Sequence, residues 1–191
     1  MPTATDARAK VFAAGLALLV ERGPAAVRVR DVAAAAGTST MAVYTHFGSK
    51  QGLLEELYRH GLRELDRALA AVPATGDRRS DALAMMLAYR AFALENEALY
   101  GLMFERAAPG FVPSDASRIE GLQSFERLRE SVRGDDATGA AYLLWGVTHG
   151  LVTLELTHRR WGGPVMEHLQ AGSEGAFVRA IETVLVGLES S

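Results

Sequence analysis

Residues 31–50 read Asp-Val-Ala-Ala-Ala-Ala-Gly-Thr-Ser-Thr-Met-Ala-Val-Tyr-Thr-His-Phe-Gly-Ser-Lys, and they constrain the chain more than any other stretch. They describe two short helices joined by a tight turn at Gly37, with a further helix starting near Ser49. This is the layout of a helix-turn-helix DNA reader, whose second helix enters the major groove. About 140 residues of largely apolar helix follow, which points to a regulator with a separate sensing half.

The chain of 191 residues is long enough for one large or two small domains. Alanine, leucine, glutamate and arginine are abundant and proline is rare, so composition favours helix. No alternating strand pattern and no internal repeat is present, and the expected fold is all-α, with about nine helices. There is no cysteine, which excludes disulfides and thiolate chemistry. The N-terminus has no long apolar core of the signal-peptide kind. The most apolar window, Ala137 to Leu154, contains Thr138, Thr148, His149 and three glycines and is short for a membrane span. It reads as a buried helix. The expectation is a cytoplasmic protein with no membrane partner, no cofactor and no metal.

Net charge is −3, but it is unevenly placed. Residues 1–60 carry seven Lys/Arg and five Asp/Glu, leaving the excess acid to the rest of the chain. A mildly basic head on an acidic body can present the head alone to DNA. The two lysines of the chain, Lys10 and Lys50, both lie in this head.

Periodicity and breakers predict the elements. A first helix covers 6–22, with Thr5 or Asp6 as cap, Val11, Ala14, Leu18 and Leu19 inward, and Gly23-Pro24 as the stop. The second covers 29–36, with Val32 and Ala33 inward. The third, 40–47, is capped by Ser39 and closed by Gly48. A long fourth helix, 50–71, follows Ser49 as cap and carries Leu53, Leu54, Leu57, Leu62, Leu65 and Leu69. Five more helices are expected near 80–95, 97–107, 115–132, 137–160 and 173–189. Their breaks are Pro73–Gly76, Pro109-Gly110, Pro113-Ser114, Gly134-Asp135-Asp136 and Gly162-Gly163-Pro164. Two domains result: 1–50 for DNA and 51–191 for ligand and dimerisation.

A reading helix needs a small or polar leading edge. Thr40, Met41, Ala42 and Thr45 fit. None is Arg, Asn or Gln, so readout should rest on threonine hydroxyls, apolar contact with thymine methyls and DNA shape. Tyr44 and His46 end that helix and could reach phosphate. Lys50 stands in the first turn of the next helix, where a cation opposes the helix dipole; a phosphate partner would account for it. Arg28 and Arg30 flank the second helix and could also meet backbone, or simply be solvated. Phe47 belongs to the core.

From Val11 to Leu57 the chain resembles the DNA-binding domain of the TetR (tetracycline-repressor-like) family. The matching residues are Glu21-Arg22-Gly23, Val29-Arg30-Asp31-Val32-Ala33, Ala36-Gly37, Ser39, Val43-Tyr44, His46-Phe47, Ser49-Lys50 and Leu53-Leu54. The resemblance implies DNA contacts at Ser39, Thr40, Tyr44, His46 and Lys50. The chain departs at Arg28, where a capping Ser or Thr is usual, at Leu19, where Phe is usual, and at Met41, where a small residue is frequent. The last bears on operator choice.

In the body, Trp145, His149 and Gly150 form a W-x-x-x-H-G pattern, with Trp145 and His149 on one helix face. This resembles the WHG type of TetR C-terminal domain. Tyr89-x-x-Phe92-Ala93 and Leu99-Tyr100-x-Leu102-Met103-Phe104 resemble it more loosely. A lone histidine on an apolar helix can be a satisfied core group or a polar anchor in an apolar pocket. Met85, Tyr89 and Phe92 on one face, with Met103, Phe104, Phe125, Tyr142 and Trp145, supply the adaptable Met and aromatic lining that suits a small apolar or aromatic effector; Met and aromatics at helical spacing also build plain core. On the last helix Phe177, Ile181, Val184, Leu185 and Leu188 make a stripe. With Leu151, Val152 and Leu156 it could pair with a second copy or pack on its own body. The family resemblance implies a homodimer. So does the reader: two copies would span half-sites about 34 Å apart on a palindromic operator.

The leading expectation is a ligand-responsive transcriptional repressor that binds double-stranded operator DNA as a homodimer and is released by a small-molecule effector. Two alternatives stand beside it. One is a helical enzyme using His149 with Glu155 or Glu95, although His149 has no acid or histidine at i+3 or i+4 and His158 and His168 look exposed. The other is a DNA-binding dimer without an effector.

Overall fold

The structure is a computed structural model and describes residues 4–105, 108–132, 136–161 and 174–189. Among these residues there are nine α-helices and no strand. They are α1 (Ala4–Arg22), α2 (Val29–Ala35), α3 (Thr40–Phe47), α4 (Lys50–Ala70), α5 (Arg78–Glu95), α6 (Glu97–Phe104), α7 (Asp115–Val132), α8 (Ala137–Trp161) and α9 (Glu174–Glu189). The all-α expectation holds. The breaks at Gly134-Asp135 and Gly162-Gly163-Pro164, and His168, lie outside the described residues.

The start of α1 differs from expectation. The helix is already formed at Ala4, so Asp6 lies in its first turn and does not cap it. There its carboxylate suits the helix dipole and pairs with Lys10 at 3.1 Å. Gly23, at φ 78°, ends α1, and Pro24 opens a single 3-10 turn, Pro24–Ala26. Nothing in the hydrophobic periodicity signals that turn. α6 is also shorter than expected, closing at Phe104 with Glu105 leaving helical geometry.

The chain divides into two compact units. The first comprises Met1–Glu64 and Asn96–Gly121, the second Leu65–Glu95 and Leu122–Ser191. The division falls inside α4 and α7.

In the first unit, α1 packs on α2, α3 and α6, and α6 also meets the 3-10 turn. Leu19, Val27, Val32, Val43, Leu53 and Leu57 are fully enclosed. Gly61 lets Met103 of α6 press onto α4: a Cβ at this position would stand 2.6 Å from the Met103 sulfur. The segment before α7 is tied to α4. Gln51 Nε2 donates to the Gly110 carbonyl at 2.6 Å, and the Ser114 hydroxyl donates to Glu55 Oε1 at 2.5 Å. Phe111 packs on Tyr58 with ring centres 5.9 Å apart. Glu120 of α7 receives Arg59 at 2.7 Å and Arg63 at 3.4 Å.

In the second unit, α5, α8 and α9 pack against one another. Met86, Tyr89, Phe92, Leu144, Val152, Leu156 and Ile181 form the core. The Pro73–Gly76 break is held by Asp81, which accepts from the Thr75 amide and hydroxyl at 2.8 and 2.7 Å. Those two bonds keep the Asp81 carboxyl below its usual range. α8 carries both tryptophans of the chain, Trp145 and Trp161.

Candidate nucleic-acid interface and effector site

Backbone chemistry sets the geometry of α2 and α3. Gly37 takes φ 63°, the left-handed conformation that glycine adopts at no steric cost. Ser39 is extended and its hydroxyl oxygen accepts the Ala42 amide at 3.2 Å, which caps α3. Gly48, at φ 70°, closes α3, and the Ser49 hydroxyl accepts from the Gly52 amide at 3.0 Å to cap α4. α2 begins at Arg28, which is extended and provides no side-chain cap, so the departure seen in the sequence has the local consequence expected of it. Gly52 allows α4 to turn directly beneath α3, since any side chain there would run into the Phe47 carbonyl oxygen.

Val43 and Phe47 point α3 inward. Arg8 lies over the Phe47 ring at 5.0 Å while pairing with Glu56 at 2.9 Å. The opposite side of α3 is open: Thr40, Met41, Tyr44 and Thr45 are exposed, Met41 by 69% and Tyr44 by 47%. His46 and Lys50 are partly exposed, Arg28 and Ser39 fully so. Lys50 has no ion-pair partner among the described residues, which leaves its charge available to an anion. All eight expected DNA-contact residues therefore reach the surface.

The expected effector residues separate. Met85, Tyr89 and Phe92 are buried on α5, and Phe125, Trp145 and His149 are partly exposed on α7 and α8. Trp145 meets Phe125 edge-on at 6.4 Å and Tyr142 at 6.0 Å, and it lies 6.0 Å from the His149 ring. The Tyr89 hydroxyl stands 3.3 Å from His149 Nδ1. Tyr142 is 66% exposed, at the outer edge of this cluster. Met103 and Phe104 belong to the first unit, where Met103 packs on Gly61 and Phe104 on Tyr100 at 5.0 Å.

One feature of the second unit gave no sequence signal. Arg90 Nε and Nη2 each donate to a Glu155 oxygen at 2.8 Å, and Nη1 donates to Glu174 at 3.2 Å. Phe177 covers the guanidinium at 5.6 Å. The Glu155 hydrogen bonds hold the arginine firmly protonated. Glu155 is thus committed to Arg90 through both of its oxygens. His158, expected at the surface, is partly buried, with its Nδ1 enclosed and unbonded. Among the described residues no group of His, Asp and Glu could hold a metal ion. No described helix is long and apolar enough to cross a membrane.

The helices named for pairing have two apolar faces. Val152, Leu156, Phe177, Ile181 and Leu185 are buried within their own unit, while Leu151, Val184 and Leu188 are partly exposed. The outer face of α8 is made by Leu143, Gly146, Gly150 and Leu154, and that of α9 by Val186 and Gly187. A Cβ added at any of the three glycines would meet nothing within 4 Å.

A helix-turn-helix head followed by a helical body is the layout of a DNA-binding transcriptional regulator, and comparison with known proteins agrees. The profile of the family described as bacterial regulatory proteins, tetR family, matches residues 11–57, and that of the tetracyclin repressor-like C-terminal domain matches residues 82–182. The chain belongs to the TetR family of DNA-binding transcriptional regulators. It is similar in structure to a protein of unknown function from Rhodococcus sp. RHA1 (27% identity, TM-score 0.74, 95% of this chain and 94% of that one). It is also similar to the TetR family regulator PfmR from Thermus thermophilus (23%, 0.62, 91% and 97%). A third likeness is to TetR-Q116A from Acinetobacter baumannii AYE in complex with minocycline (21%, 0.65, 94% and 94%). No curated protein matches the chain.

Proposed function

We propose that the chain is a homodimeric repressor in the cytoplasm that binds a palindromic operator through residues 1–50 and is released by a small effector bound within 51–191. The observation that supports this reading is that α8 presents two distinct faces. One face holds Trp145 and His149 in the aromatic cluster with Tyr89 and Phe125. The other is the uncharged strip of Leu143, Gly146, Gly150 and Leu154.

The strip suits a second copy, because glycines let helix backbones approach closely and leucines on either side exclude water. The interface then uses the outer face of α8 and α9, with Leu151, Val184 and Leu188 at its margin. The cluster suits an uncharged apolar or aromatic molecule. The buried cation nearby in sequence, Arg90, is already neutralised by Glu155 and Glu174, so an acid would find no free partner there. The polar groups of the cluster are the Tyr89 hydroxyl and the His149 ring. The complex of the Acinetobacter protein with minocycline supports a small-molecule effector. Effector binding and dimer geometry meet on one helix, and a coupling of about 1–3 kcal/mol would weaken operator binding roughly 5- to 150-fold.

The test is operator binding by purified protein, followed by addition of uncharged aromatic compounds. Release by one of them, lost in Tyr89→Phe and Trp145→Ala variants that still bind DNA, is the expected result. Light scattering should give a dimer, and Gly150→Arg should give a monomer that no longer binds operator tightly. A protein that binds operator yet is released by nothing would instead be the effector-free dimer.

A further inference from the structure

On α3 the buried residues Val43 and Phe47 fix the direction of the opposite ridge, and helical geometry places Met41 and Thr45 at its centre, one turn apart. Ala42 flanks them. Thr40 and Tyr44 fall to one side and His46 to the other. The centre of a reading helix is what meets base edges, so this ridge carries the base-specific contacts.

Neither ridge residue offers a free hydrogen-bond donor. Met41 has no donor and is the most exposed large apolar side chain of the helix. Thr45 has a hydroxyl, but its proton is spent: Oγ1 donates to the Met41 carbonyl at 2.9 Å. That bond commits the hydroxyl proton to the helix backbone, and the methyl is the apolar part of an exposed side chain one turn from the exposed Met41 thioether.

We propose that Met41 and Thr45 form an apolar ridge that selects the C5-methyl groups of thymine in each operator half-site, with no hydrogen-bond donation from the ridge. In the major groove that methyl is the one apolar group a base pair displays, and T·A pairs carry it while G·C pairs do not. Burying one methyl favours thymine over its demethylated counterpart by about fourfold. Two-fold symmetry doubles the effect in free energy, to about 15-fold for a palindrome. This rests on DNA binding by the head, which is tested separately in the same experiment.

The full chain is used to select bound duplexes from a random pool, and each thymine of the selected site is replaced by deoxyuridine, which deletes only the methyl. The expected result is a loss of about fourfold at one or two thymines per half-site. In Met41→Ala, or in Thr45→Ser, which keeps the hydroxyl, the matching replacement should cost nothing. Thr45→Val, which keeps the methyl and removes the hydroxyl, should bind as the unaltered protein does. Uracil tolerated at every position, or Thr45→Val losing as much as Thr45→Ser, overturns the proposal. So does a pool that yields no preferred sequence while binding remains salt-dependent. Absence of any salt-dependent binding would instead remove the DNA-binding reading itself.

Discussion

Arg90 and Glu155 lie 65 residues apart and meet in a two-pronged ion pair, with both contacts at 2.8 Å. The side chains are 11% and 6% exposed. Desolvating two charges is costly, and the pair stands because each group satisfies the other and Glu174 takes the remaining face. Glu155→Ala should lower unfolding free energy by about 3–5 kcal/mol in urea titration, because it strands a buried guanidinium. Replacing both residues, as Arg90→Met with Glu155→Leu, should recover most of that loss. Glu174 is 70% exposed, so Glu174→Ala should cost no more than about 1 kcal/mol.

Gly52 presents two opposed effects. Alanine in a helix is favoured over glycine by about 0.5–1 kcal/mol. At this position, however, the added carbon meets the Phe47 carbonyl oxygen, which is backbone and has nowhere to go. Sterics should win, and Gly52→Ala should destabilise the head by about 1–3 kcal/mol, measured by chemical denaturation.

The capping and DNA roles of Ser39 can be separated. Ser39→Ala removes the acceptor for the Ala42 amide and should cost about 1 kcal/mol. Ser39→Asp preserves a cap but adds a negative charge at the edge expected to face phosphate. It should keep thermal stability near that of the unaltered chain and still bind operator less tightly, as read by titration of labelled DNA.

Glu55 should give the tie between α4 and the start of α7 an acid limit. Burial works to raise its pKa, but hydrogen bonds from Ser114 and Ser117 and the charge of Arg59 outweigh it, and the carboxyl sits below its ordinary 4.5. Its stabilising effect is therefore complete above about pH 4.5 and fades as pH falls through the depressed value. Amide exchange at Ser114 should accelerate over that acid range, and Glu55→Gln should flatten the dependence. Acceleration at rising pH beyond the intrinsic rate would contradict it.

α3 and the start of α7 were legible to the residue, because Ser39, Gly48 and Pro113-Ser114 act locally and are written beside their helices. Local rules served less well where partners are remote. Periodicity says that a face is buried and does not say against what. Met103 and Phe104 read as effector lining, yet α6 packs on α1 and the 3-10 turn. The α9 stripe left pairing and self-packing both open, and Phe177, Ile181 and Leu185 are buried within their own unit. Arg90 gave no warning at all, since an arginine between Tyr89 and Phe92 becomes intelligible only once Glu155 is brought to it. The Thr45 hydrogen bond follows a local habit of helical threonine, shared by Thr157 and Thr183, that hydrophobic periodicity does not register.

α8 holds both tryptophans, and the head has none. Tryptophan emission, excited apart from tyrosine, therefore reports on the helix that carries the aromatic cluster and registers DNA engagement only through that helix. A shift in the spectrum on adding operator alone would be a direct optical record of communication along the chain, obtained without attaching any dye.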